Sequence, residues 1–114
     1  AGRFVLLFLV SAAGIDAGFW LIGPALDWYV GLSGVLHGLL AGGLVLGISS
    51  RRVESLLILA VLAAKLAWEQ LAGPLPGSEA SAGGPVITEA HLYGAIAGLI
   101  GGVLAAVGGQ SRRI

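Results

Sequence analysis

The sequence contains no cysteine and no methionine. The absence of cysteine excludes disulfide bonds, thiolate metal sites and a cysteine nucleophile. Charged residues are also scarce, at 11% of the chain, whereas a typical soluble domain has about 25%. Because so few charges cannot cover a soluble surface, the composition predicts a membrane protein.

A basic surface is missing as well. The six Lys and Arg residues balance six Asp and Glu residues, so the formal net charge is zero. Nucleic-acid binding depends on clustered positive charge. We therefore expect no nucleic-acid partner, and the composition indicates membrane lipid as the surroundings of the chain.

Four apolar segments run through the sequence, at about residues 4–22, 33–48, 53–71 and 88–107. A helix needs about 20 apolar residues to span a bilayer, and the first segment reaches that length only by including Asp16. The pattern predicts an all-α, polytopic membrane helix bundle forming a single domain over residues 1–114. Because residue 1 is Ala and not Met, we expect this domain to be the C-terminal portion of a longer one.

The arginines test the number of membrane crossings. If all four segments span, every arginine falls on one side of the membrane: Arg3, Arg51, Arg52, Arg112 and Arg113. The positive-inside rule makes that side cytoplasmic. The second and fourth segments then both begin at the outer face, which places Ser33 and His91 at a similar depth.

Two of the segments carry glycines at four-residue spacing. They are Gly34, Gly38 and Gly42 in the second segment, and Gly94, Gly98 and Gly102 in the fourth. Such small-residue ridges let membrane helices approach closely. If the two ridges pack together, Ser33 and His91 come within side-chain reach. The alternative is that each ridge packs against another helix.

Ser33 is the candidate nucleophile. A serine hydroxyl needs a base, and His91 has the position and depth to supply one. The backbone N–H of Ser33 is a candidate oxyanion donor, and Gly31, Leu32 and Gly34 complete the candidate pocket. No carboxylate is obviously placed to orient His91, so the sequence predicts a Ser–His dyad. The alternative is a serine bonded to its own backbone.

Four further polar residues are candidates for supporting roles. His37 lies one helical turn after Ser33 and is either a rival base or a pocket residue. Lys65 and Glu69 are four residues apart, which favours a self-neutralising pair within the membrane. Glu89 precedes His91 by two residues and so lies on nearly the opposite helix face, where it is poorly placed to orient the imidazole.

The motif Gly31-Leu32-Ser33-Gly34, followed later by His91 with Gly94 and Gly98, resembles the rhomboid intramembrane serine proteases. The resemblance implies that Ser33 attacks a peptide carbonyl and that His91 relays the proton. It also implies a six-helix core, of which this chain would hold the last four helices. Rhomboids often place oxyanion-stabilising side chains on the second helix of that core.

Three longer runs, at residues 29–38, 65–70 and 89–94, are similar to one rhomboid branch, the rhombosortases. Members of that branch act on secreted proteins with a GlyGly-containing C-terminal sorting tail. The resemblance implies a multi-pass protein of the bacterial inner membrane with its active site towards the periplasm. Its partner would be the transmembrane segment of a protein substrate, with no cofactor or metal.

Two other functions stay open at this stage. A non-catalytic rhomboid-like protein would bind or scaffold transmembrane partners with the same helices. A transporter would need Lys65 and Glu69 in a water-filled path, and the sequence has only one such pair.

Overall fold

The computed structural model describes residues 2–24, 32–77, 79–80 and 86–111. Four α-helices lie in these ranges: α1 (Gly2–Leu21), α2 (Ser33–Gly47), α3 (Arg52–Ala72) and α4 (Thr88–Ser111). The described residues contain no strand. The all-α prediction is confirmed, and each helix begins within two residues of its predicted start.

Glycines end two of the helices. Gly23 follows α1 with a φ of 101°, and Gly73 follows α3 with a φ of 88°. Glycine adopts such backbone angles without a steric penalty. The Gly73 N–H donates to the Glu69 backbone carbonyl at 3.0 Å, so Glu69 lies in the last hydrogen-bonded turn of α3.

Helices α2 and α4 run parallel and in close contact. A Cβ atom built on Gly94 would collide with the Gly34 backbone, and one on Gly98 would collide with the Gly38 backbone. Neither neighbour has a side chain that could move aside. The predicted packing of the two glycine ridges is therefore confirmed, and we call this contact the glycine seam.

Helices α1 and α3 run antiparallel to that pair. Along α1, Ile15 contacts Gly34 near the start of α2, whereas Leu7 contacts Gly42 further along it. Along α3, the late residue Glu69 reaches His91 at the start of α4. The start of α2, the end of α3 and the start of α4 consequently meet at one end of the bundle.

The arginines of the described residues lie at the opposite end. Arg51 and Arg52 stand where α3 begins, and the Arg3 guanidinium lies beside Gly109 near the end of α4. Arg112 and Arg113 lie outside the described residues. The structure thus separates a basic end from the end that holds Ser33 and His91.

Three helices are long and apolar enough to cross a membrane: Gly2–Leu21, Arg52–Ala72 and Thr88–Gly109. Helix α2 has only 15 residues, which is about 22 Å at 1.5 Å per residue, against about 30 Å of hydrocarbon. All four predicted apolar segments are helices; three of them are span candidates by length among the described residues, and α2 is a shorter apolar helix. Helix α2 ends before the polar residues 49–52. The glycine face of α2 packs on α4.

Small residues dominate the buried interior. One cluster joins Ile15, Val35 and Ala90 near the end that holds Ser33, and another joins Ala41, Leu62 and Ala95. Many large apolar side chains point outward instead. That distribution suits a bundle in lipid, where close helix contact and not the burial of large side chains drives packing.

Candidate active site

Ser33 and His91 meet at the start of the glycine seam. Ser33 is the first residue of α2, and His91 lies in the first turn of α4. The His91 Nε2 atom lies 2.9 Å from the Ser33 Oγ atom. Ser33 is exposed, whereas His91 is 5% exposed. The exposed Ser33 thus contacts a buried imidazole, and the contact is the one predicted from the glycine spacing.

The other nitrogen of His91 contacts a carboxylate. The Nδ1 atom lies 2.9 Å from Oε2 and 3.0 Å from Oε1 of Glu69. Glu69 is itself only 2% exposed. The expectation that no carboxylate orients His91 was therefore wrong. Glu69 is 22 residues away in sequence, and its spacing to Lys65 indicated a self-contained pair.

Lys65 does pair with Glu69, but the pair is not self-contained. The Lys65 Nζ atom donates to Glu69 Oε1 at 2.8 Å and lies 2.8 Å from His37 Nε2. The Lys65 side chain remains 30% exposed. The predicted i,i+4 ion pair is confirmed, and it forms part of a larger polar cluster of five residues: Ser33, His37, Lys65, Glu69 and His91.

His37 completes this polar cluster. Its Nδ1 atom lies 2.6 Å from the Ser33 carbonyl oxygen, and its Nε2 atom faces Lys65. The ring stacks on His91, with 4.1 Å between centroids and 11° between planes. Both nitrogens of His37 therefore have partners other than the Ser33 hydroxyl.

The hydrogen-bond partners define one consistent arrangement of protons. The Glu69 carboxylate and the Ser33 carbonyl can only accept, so each histidine must carry its proton on Nδ1. The Nε2 atom of His91 is then free to accept from the Ser33 hydroxyl. The Nε2 atom of His37 likewise accepts from the Lys65 ammonium group.

The donor atoms of His37, Glu69 and His91 lie within 4.8 Å of one another, a spacing that could hold a metal ion. His and carboxylate ligands suit zinc. However, the Lys65 ammonium group lies 2.8 Å from both His37 Nε2 and Glu69 Oε1 and already supplies the positive charge there. We therefore assign no metal ion to these three residues.

Comparison with known proteins identifies the chain. A family model for the Rhomboid domain matches residues 1–107. The chain belongs to the rhomboid family. Rhomboids are generally intramembrane serine proteases, and the three apolar helices agree with a membrane protein of this family. No curated protein and no solved structure matches the sequence.

The remaining predicted residues of this rhomboid chain are distributed around Ser33. Leu32 precedes α2 with its side chain 62% exposed, and Gly34 is buried against the Ala90 carbonyl. Gly31 lies outside the described residues. Glu89 is half-buried, and among the described residues it makes no hydrogen bond to His91.

Two contacts that sequence reasoning missed hold the start of α4 in place. The Gln70 Nε2 atom donates to the Thr88 carbonyl at 3.1 Å. The Tyr93 hydroxyl donates to the Gly23 carbonyl, and its ring meets Phe19 edge-on at 5.4 Å. Helix α4 is therefore tied to both α3 and the end of α1 on either side of His91.

A sequence signal for Glu69 did exist. Antiparallel topology places the late part of α3 at the same depth as the starts of α2 and α4. An ionisable residue inside a membrane segment is costly to bury, so Glu69 was already a functional candidate. Depth therefore narrows the possible partners of His91 on α3, although it does not say which face of α3 turns towards α4.

Proposed function

We propose that this rhomboid is a serine-type intramembrane endopeptidase, with Ser33 as the nucleophile and His91 as the general base. The observation that carries the proposal is the 2.9 Å contact between Ser33 Oγ and His91 Nε2. This distance lies within the range for proton transfer between a nucleophile and its base. The exposure of Ser33 leaves the hydroxyl accessible to a peptide.

The reaction follows from that geometry. Ser33 Oγ bonds to the peptide carbonyl carbon, the carbonyl electron pair moves onto oxygen, and the hydroxyl proton passes to His91 Nε2. Collapse of the tetrahedral intermediate breaks the C–N bond, and His91 returns the proton to the leaving amine. Water then attacks the ester carbonyl and gives a proton to His91 Nε2. The bond from the acyl carbon to Ser33 Oγ breaks, His91 returns the proton to Oγ, and the carboxylic acid product leaves.

The start of α2 supplies donors for the developing oxyanion. The first intrahelical bond of α2 runs from the Leu36 N–H to the Leu32 carbonyl, and no side chain caps the N-terminal end. The N–H groups of Ser33 and Gly34 therefore have no acceptor within the helix. We assign the Ser33 N–H as one oxyanion donor. The absence of a side chain at Gly34 lets helix α4 approach instead, because a Cβ there would lie 2.7 Å from the Ala90 carbonyl oxygen.

The proposed substrate is a membrane-anchored C-terminal sorting tail that contains GlyGly, on a secreted protein. The similarity of residues 29–38, 65–70 and 89–94 to the rhombosortases supports this choice. We further propose a multi-pass protein of the bacterial inner membrane with its arginine-bearing end in the cytoplasm, in line with the positive-inside rule. Ser33 would then open towards the periplasm.

Substitution of the two reacting residues tests the proposal. In the intact protein, Ser33→Ala and His91→Ala should each lower cleavage of a tail-bearing substrate on the order of 10⁴-fold or more. Membrane accumulation should be unchanged. Ser50→Ala is the matched control, because its hydroxyl bonds only weakly, at 3.4 Å, to the Gly47 carbonyl at the other end of α2. Full activity of the Ser33→Ala protein would end the proposal.

A covalent probe separates a protease from a scaffold. A fluorophosphonate should label the wild-type protein and should not label Ser33→Ala. A protein that only binds transmembrane partners predicts no labelling and retained partner binding in the Ser33→Ala variant. His37→Ala should lower cleavage far less than His91→Ala, because both nitrogens of His37 face groups other than the Ser33 hydroxyl and the ring takes no proton from it.

A further inference from the structure

We propose that Glu69 is the positioning carboxylate of a Ser33–His91–Glu69 triad, and that Lys65 and His37 hold this triad in its reactive arrangement. The inference rests on the proposed function, because it concerns the same hydroxyl and base. It adds to that function a chain of buried and part-buried polar contacts running from helix α3 into the site.

The first argument is the direction of the His91 ring. A neutral imidazole can carry its proton on either nitrogen, and only the Nδ1 tautomer leaves Nε2 free to act as a base. Glu69 presents both carboxylate oxygens to Nδ1, at 2.9 and 3.0 Å. A carboxylate only accepts, so this contact selects the productive tautomer and aims Nε2 at Ser33.

The second argument is charge. When His91 takes the proton from Ser33, a positive imidazolium forms at a residue that is only 5% exposed. An isolated charge there would be costly. The ionised Glu69 side chain, 1% exposed and in direct contact, stabilises the imidazolium. Glu69 keeps its negative charge throughout and takes no proton, as in other Ser–His–carboxylate triads.

The third argument concerns Lys65, which has two roles. At rest it neutralises Glu69 through the 2.8 Å contact from Nζ to Oε1. It also donates to His37 Nε2, which occupies the lone pair that would otherwise take up a proton. His37 therefore stays neutral. A neutral ring can stack at 4.1 Å on an imidazolium at His91, whereas a second charged ring would repel it.

His37 closes the cluster into a ring. Its Nδ1 atom donates to the Ser33 carbonyl oxygen at 2.6 Å. The contacts thus lead from the Ser33 hydroxyl through His91, Glu69, Lys65 and His37 back to the Ser33 backbone. Both the hydroxyl and the main chain of the nucleophile are positioned by the same cluster.

A purely structural role for Glu69 is the competing interpretation. A buried pair between α3 and α4 could serve only to hold the helices together. The Gln70 contact to the Thr88 carbonyl already joins the same two helix ends one residue further along α3. The helices should therefore stay together when the Glu69 charge is removed, and the two roles become separable.

The first experiment uses the unaltered protein in bilayers. ¹⁵N NMR of histidine-labelled protein at neutral pH reports the protonation of each ring nitrogen, and His37→Gln and His91→Gln variants assign the signals of His37 and His91. We expect His91 to be protonated on Nδ1 and unprotonated on Nε2. The opposite tautomer at His91 would overturn the triad, and this result does not depend on whether any Glu69 variant folds.

The second experiment compares Glu69→Gln, which keeps the shape and removes the charge, with Glu69→Asp, which keeps the charge on a shorter arm. Glu69→Gln should lower kcat by roughly 10²–10⁴-fold with little change in KM, because the lost interaction acts in the transition state. Glu69→Asp should recover part of that loss. Glu54→Gln is the matched control on the same helix and should be fully active.

The outcomes separate the two proposals. Wild-type kcat in Glu69→Gln, with Ser33→Ala inactive, would overturn the triad and leave the serine protease standing. Cleavage by Ser33→Ala would overturn the protease itself. A fall in thermal stability equal for Glu69→Gln and Glu69→Asp, with kcat unchanged in the protein that remains folded, would assign Glu69 a structural role and overturn the inference.

Discussion

Helix α3 carries two glutamate ion pairs that have almost the same spacing and different surroundings. Near its start, Arg51 and Glu54 meet at 3.2 Å with side chains 74% and 67% exposed. Near its end, Lys65 and Glu69 meet at 2.8 Å with side chains 30% and 1% exposed. Among the described residues, the side chains of Arg51 and Glu54 have no further polar partner. Lys65 and Glu69 also contact His37 and His91.

The difference shows that spacing identifies an ion pair but does not reveal its role. An exposed pair contributes about 0–1 kcal/mol and is weakened by salt. A buried pair is costly to desolvate, and its removal leaves other buried groups without partners. In the Lys65–Glu69 pair, Lys65 also contacts His37 and Glu69 also contacts His91, so each member has a second partner in the site.

The largest expected difference between the pairs is in stability. Glu69→Ala leaves His91 Nδ1 and Lys65 without their acceptor, so we expect a loss of about 2–3 kcal/mol in the free energy of unfolding. Glu54→Ala should change it by less than about 0.5 kcal/mol. Reversible unfolding in mixed detergent micelles measures both. Equal losses in the two variants would contradict the comparison.

An intermediate effect is expected from the glycine seam, which aligns the site without touching either ion pair. A Cβ on Gly42 would lie 2.6 Å from the Gly98 carbonyl oxygen, whereas a Cβ on Gly43 has nothing within 4 Å. Gly42→Ala should therefore cost about 1–2 kcal/mol by overpacking and should lower cleavage by separating Ser33 from His91.

Gly43→Ala is the matched control for this prediction. It should be neutral or stabilising by up to about 1 kcal/mol, because alanine favours the helix. Unfolding and cleavage assays on the neighbouring variants give the comparison. If Gly42→Ala is as stable and active as Gly43→Ala, the seam does not control the spacing of Ser33 and His91.

The smallest expected effect is the response to salt. A double-mutant cycle on Arg51 and Glu54 should give a coupling of about 0.3–0.5 kcal/mol at low ionic strength, falling towards zero at about 1 M salt. The same cycle on Lys65 and Glu69 should give a coupling that hardly changes, since solvent ions do not reach the buried carboxylate. A coupling at Lys65 and Glu69 that disappears with salt would show that the pair is solvated.

Much of the fold was predictable from local pattern. The apolar segments predicted four helices, and polar or glycine-containing breaks marked their ends. The glycine spacing predicted the contact of α2 with α4, because only glycine allows backbones so close. The length of the second helix was less predictable, because the segment from Ser33 is mostly apolar but its helix ends after 15 residues.

The candidate site was predictable only in part. Topology brought Ser33 and His91 to one depth, and their matched ridges brought them into contact. The partner of His91 was missed because Lys65 and Glu69 satisfy each other by sequence spacing alone. Glu89, much nearer in sequence, lies on the wrong face of α4 to replace Glu69.

The sequence by itself determined that the chain is a helical membrane protein, where its helices begin, and that Ser33 and His91 come together. Only the tertiary structure decided that Glu69 meets His91, that Lys65 meets His37 and that the two imidazoles stack. The physical reason is the rotation of α3 about its axis. In lipid, apolar side chains are equally well placed on every face, so the hydrophobic pattern does not orient α3, and contacts with α2 and α4 do.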